Sequence, residues 1–112
     1  MARWLLVRYT DCTDPSREEE FSEWYTNVHI VDMLEHPAVL SAKRYVNHDP
    51  GDGPGKFLAL YEVESEDIDK TLQELGEHMG KKREQGRFHE TLKVVQMTTF
   101  RNIASRTKQD TA

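Results

Sequence analysis

The order in which two hydrophobic periods alternate constrains this chain more than any other feature. Residues 3–10 alternate with period two, placing Leu5, Val7 and Tyr9 on one face and Trp4, Leu6, Arg8 and Thr10 on the other. The period then lengthens. Phe21, Trp24, Tyr25, Val28 and Val31 recur three or four residues apart and form the apolar stripe of a helix that Asp14 can cap and Pro15 can open. Glu18, Glu19 and Glu20 fall in its early turns, where the helix dipole favours acids. Ile30 to Glu35 reads as a further short helical turn, and Pro37 ends the region. Period two returns over residues 38–47, with Val39, Ser41, Lys43 and Tyr45 against Leu40, Ala42, Arg44 and Val46. It returns again over 57–63, where Phe57, Ala59, Tyr61 and Val63 share a face. Between them Asn47 to Gly55 holds two prolines and three glycines and reads as a hairpin loop. Ser65 is placed to cap a second helix through about Arg83, with Ile68, Leu72, Leu75 and Met79 as its stripe and Gly86 as its stop. Thr91 to Phe100 forms the last strand.

The resulting order, β-α-β-β-α-β, predicts an α+β ferredoxin-like domain with a four-stranded antiparallel sheet over residues 1–104, followed by a polar, flexible tail, 105–112. Two helices can cover only one face of such a sheet, yet both faces carry bulky apolar residues. A second copy is the simplest cover, so the expected assembly is a homodimeric α/β barrel, with further assembly left open.

Composition narrows the class of function. With 112 residues, 37% hydrophobic and 31% charged, the chain fits one soluble globular domain. A net charge of -5 argues against nucleic acid or an anionic membrane as partner. The single cysteine, Cys12, excludes an internal disulfide and fits a reducing compartment. No segment approaches the roughly 20 apolar residues of a membrane span, and the opening residues are too briefly apolar for a signal peptide. A cytoplasmic location is therefore expected. No His-x-His, His-x-x-x-His or Cys-x-x-Cys spacing points to a metal. The Gly51–Gly55 run has no helix after it to receive a phosphate.

One segment is more specific. Glu20-Phe21-Ser22-Glu23-Trp24-Tyr25-Thr26-Asn27-Val28-His29-Ile30 resembles a motif of the EthD-like branch of the dimeric α/β-barrel superfamily, and Ser41-Ala42-Lys43-Arg44-Tyr45 resembles that branch's second strand. The resemblance covers roughly residues 3–102. It implies a cofactor-independent protein handling small hydrophobic molecules, in a superfamily that includes monooxygenases, isomerases, dehydratases and cyclases. Here Val31 stands where that branch usually has proline, which allows the helix to run on past His29.

Within that frame His29 is the first catalytic candidate, since an imidazole exchanges protons near neutrality. Asp32, three residues on, is placed to orient it, and Tyr25 is placed to offer a hydroxyl. Trp24 reads mainly as core. Tyr61, on an apolar strand face, could hold a substrate oxygen. Arg44 and Arg8 stand on otherwise apolar strand faces and so demand a partner, either an anionic substrate group or a carboxylate across a subunit interface. His78 and His89 are second-rank candidates, with a surface position as the simpler reading of each. His36 and His48 read as loop residues, and Cys12 as inert. The expectation is proton-transfer chemistry (elimination, isomerisation or cyclisation) on an aromatic or cyclic compound. The alternatives are cofactor-free oxygenation of a phenol and non-catalytic binding.

Overall fold

The computed structural model describes residues 2–49, 51 and 53–111. Met1, Ala112, and Pro50 and Asp52 of the 47–55 loop lie outside the described residues. Strand β1 (Ala2–Cys12) leads through a short 3₁₀ turn (Pro15–Arg17) into α1 (Glu18–Trp24). This helix continues without a break through a π-helical turn (Tyr25–His29) into α2 (Ile30–Leu34). Then follow β2 (Val39–Val46), β3 (Phe57–Ser65), α3 (Ile68–Glu84) and β4 (Leu92–Arg101). The four strands pair antiparallel in the order β2-β3-β1-β4, which is the ferredoxin-like topology expected.

The register explains which side chains meet the helices. Leu6 lies opposite Tyr61, Arg8 opposite Ala59 and Met97, and Arg44 also opposite Ala59. One face of the sheet therefore presents Leu6, Phe57, Ala59, Tyr61 and Val63 to Phe21, Tyr25, Met33 and Leu75 of the helices, and these residues form the core. Each fully buried side chain of this size stabilises the fold by about 1.5–3 kcal/mol. Simple alternation fails at two register shifts among the described residues. Between Tyr9 and Thr10 the pairing with β4 skips Val95. The other shift falls between Val39 and Ser41, so Val39 joins the buried face and Leu40 is left exposed, not beside Arg44.

The second helix begins two residues later than Ser65 would place it. Asp67 is the cap, accepting from Lys70 N–H at 3.2 Å. Ser65 ends β3 and supports the cap, its hydroxyl accepting from Asp67 N–H and bonding Thr71 Oγ1. Gly86 does end the helix. It sits at φ +76, where glycine is favoured, and Arg87 N–H returns to the Lys82 carbonyl. The tail holds one exposed 3₁₀ turn, Lys108–Thr111.

Among the described residues no helix of the core packs on the other sheet face. Val7 is buried among its neighbours, Leu5, Tyr9, Leu58 and Leu60 are half-buried, and Tyr45 and Phe100 are exposed. Among the described residues no helix is long and apolar enough to cross a membrane.

Candidate functional site

The π-helical turn decides where the site forms. Ile30 N–H reaches back five residues to the Tyr25 carbonyl, which slips one extra residue into the turn. An uninterrupted α-helix would continue the Phe21–Tyr25 stripe to Val28 and Val31. With the extra residue, the inward face runs Phe21, Tyr25, His29, Met33, and Val31 is half exposed, at 49%. The helix running on past His29 thus turns the imidazole inward.

It turns toward a cavity of about 710 Å³ between α3 and the sheet. Arg8, Thr10 and Tyr61 line it from the sheet, Tyr25, His29 and Met33 from the first helix, and Leu72, Leu75 and Met79 from α3. The wall is mostly apolar with a few converging polar groups, and the volume suits a small organic ligand.

The Tyr61 hydroxyl donates to the Tyr25 hydroxyl at 3.3 Å, leaving the Tyr25 proton free to donate elsewhere. Burial raises both phenols above the ordinary tyrosine value, so both stay protonated donors at physiological pH. Arg8 donates to the Val7 and Thr98 carbonyls at 3.1 and 3.3 Å and has no carboxylate partner among the described residues. Burial lowers its affinity for a proton, and the neighbouring Tyr61 and Tyr25 oppose that shift. The His29 ring is packed by Trp24, Tyr25 and Phe88 at centroid distances of 5.0, 4.7 and 5.2 Å. Its Nδ1 is buried and finds no hydrogen-bond partner among the described residues, which leaves Nε2 as the nitrogen available to a ligand. Burial lowers its pKa from 6.5 to about 4; Asp32 raises it and Arg44 lowers it further, both by less. At neutral pH His29 is an uncharged proton acceptor.

Four of the sequence candidates therefore meet at the cavity: Arg8, Tyr25, His29 and Tyr61. The other five do not line it. Asp32 does not orient the imidazole, because both its oxygens are taken by Arg87, with Nε and Nη2 each at 2.8 Å. That pair holds the Asp32 carboxyl below the usual carboxylate range and joins α2 to the turn after α3. Among the described residues Arg44 meets neither a carboxylate nor the cavity. Its Nη1 donates to Ser22 O, Ser22 Oγ and Thr26 Oγ1 at 2.8–2.9 Å, its guanidinium lies 4.6 Å over the Tyr25 ring, and its buried Nη2 has no hydrogen-bond partner among the described residues. It backs Tyr25 from behind. Trp24 backs His29 and donates its indole N–H to the Arg87 carbonyl at 2.8 Å. His78 bonds the Asp32 carbonyl at 2.7 Å and clasps α3 to α2. His89 bridges Thr91 and Glu20 near the surface.

The sequence reading missed Thr10, Met33 and Phe88, and with them Gly76 and Gly80, which line the cavity from α3. The two glycines did leave a signal. Glycine inside a helix costs about 1 kcal/mol relative to alanine, so two of them four residues apart call for a reason. Among the described residues no three His, Cys, Asp or Glu side chains gather closely enough to hold a metal.

Together these features define a ferredoxin-like α+β domain with a ligand-sized cavity between helix and sheet. Solved structures share that fold. One is HapK from Hahella chejuensis, at TM-score 0.67 and 13% identity over 93% of this chain and 96% of HapK. Another is a "putative monooxygenase" from Shewanella loihica PV-4, at TM-score 0.59 and 19% identity over 94% of this chain and 99% of that one. No protein-family model matches the sequence, and no curated protein does.

Proposed function

We propose that the chain is a cofactor-independent enzyme that moves a proton on a small hydrophobic aromatic or cyclic compound, with His29 as the base. The observation that carries this reading is the meeting, in one mostly apolar cavity, of an uncharged imidazole, an arginine without a carboxylate partner among the described residues and two phenol donors. A C–H proton leaving toward His29 puts negative charge on a conjugated oxygen of the substrate. Tyr25 and Arg8 are the groups that stabilise such an oxygen, with Tyr61 holding the Tyr25 hydroxyl in place. The Phe21–Ile30 motif supports membership of the EthD-like branch. The uncovered apolar sheet face supports a homodimer, and the lone cysteine supports a cytoplasmic setting.

A model reaction tests the mechanism without the natural substrate. In 5-nitrobenzisoxazole a base removes the ring C–H proton as the N–O bond breaks, giving a cyanophenolate. The protein should open this ring at least 10²-fold faster than free imidazole at equal concentration. His29→Phe should abolish the excess. The kcat/KM profile should stay flat from pH 8 to 5.5, where an ordinary imidazole loses its activity. Undiminished turnover in His29→Phe refutes the proposal. Oxygen consumption during turnover of a phenol would instead favour oxygenation, the activity that the Shewanella protein's description names.

A further inference from the structure

The cavity is several times the roughly 150 Å³ that one benzene ring occupies in a protein interior. Part of that space exists because of α3. Leu72, Leu75, Gly76, Met79, Gly80 and Arg83 form one continuous helical stripe that faces the cavity. A Cβ added at Gly76 or Gly80 would meet nothing within 4 Å, so neither glycine is required by close packing or by backbone conformation. Glycine at these positions weakens the helix and leaves the opposite wall of the chamber bare. The remaining wall is soft: Met33, Met79 and Met97, three of the chain's four methionines, line the same cavity. Thioethers pack well on the faces of aromatic rings.

We propose that Gly76 and Gly80 are the size-determining residues of this site, and that they keep it open for a flat ligand of two or more fused rings whose acidic oxygen is held at Arg8. This rests on reading the cavity as the ligand site. The glycines form the floor on which the far ring lies, and the arginine and tyrosine end of the chamber fixes the acidic head.

Two fluorescent probes with the same head group test it, salicylate with one ring and 3-hydroxy-2-naphthoate with two. The wild type should bind the naphthoate at least tenfold more tightly than salicylate. In the Gly76→Ala/Gly80→Ala double variant, naphthoate affinity should fall at least tenfold and salicylate affinity should stay within twofold. The melting temperature of that variant should rise by about 5 °C or more, because alanine is the better helix former. Stability rising while one affinity falls is a pattern that damage to the fold does not produce. Unchanged naphthoate affinity in the double variant, or no preference for two rings in the wild type, overturns the size role. Arg8→Met should weaken both probes alike by about tenfold. If it leaves both unchanged, the acid anchor is overturned, whatever the glycine variant does.

Discussion

Burying an imidazole that loses its proton on folding couples the stability of this protein to pH, and His29 allows the coupling to be worked out. Its pKa is about 4 in the folded chain against 6.5 free. Between those values the unfolded chain binds a proton that the folded chain does not. The stability that the neutral imidazole permits is therefore fully present above pH 6.5 and is lost as the pH falls toward 4, at up to about 1.4 kcal/mol per unit. Lowering the pH from 7 to 5 should remove roughly 2 kcal/mol through this one group. The assay is urea unfolding followed by tryptophan fluorescence at both pH values, for the wild type and for His29→Phe, which keeps a flat ring in the aromatic nest of Trp24, Tyr25 and Phe88. Contributions common to both proteins cancel in the difference. At a urea slope of 1–3 kcal/mol/M, the wild-type midpoint should fall by about 1 M more than that of the variant. If both proteins lose stability equally between pH 7 and 5, His29 is not buried as an uncharged group. The proton-acceptor mechanism then loses its basis.

Other expectations follow from the same contacts. Arg87→Met should lower the urea midpoint at pH 7 by stranding the buried Asp32 carboxylate. That deficit should be full above the free carboxylate range near pH 4 and vanish as the pH falls through the depressed Asp32 value, so a deficit independent of pH contradicts the pairing. Tyr61→Phe should slow the benzisoxazole opening by about tenfold with little change in stability, since it frees the Tyr25 hydroxyl from its fixed partner; an unchanged rate removes the phenol pair from the mechanism. Leu60→Glu on the uncovered sheet face should convert the proposed dimer to monomer in sedimentation velocity. A wild type that sediments as a monomer argues against pairing through this face.

The strands and helices were legible in the sequence because their signals are local. A side chain's face in a strand follows parity wherever no bulge intervenes, and the face assignments of Leu6, Arg8, Phe57 and Tyr61 all follow from it. The two interior glycines were equally visible, but what they face is a property of packing and not of spacing. His29 was visible as a residue, while its inward direction was not. That direction depends on a π-helical turn whose extra residue overrides the 3.6-residue period. The two arginines, read alike from the sequence, were separated for a related reason. Strand order places Arg8 in a central strand under the cavity and Arg44 on an edge strand behind Tyr25. Asp32 was assigned to the histidine three residues away, and the fold gave it to an arginine 55 residues on. By itself, then, the sequence determined the order of elements, the faces of strands β1 and β3 and the residue types available for chemistry, because these depend on neighbours along the chain. The tertiary structure alone decided which of those residues share a cavity and which are consumed as supports, because charge pairing and enclosure depend on neighbours in space.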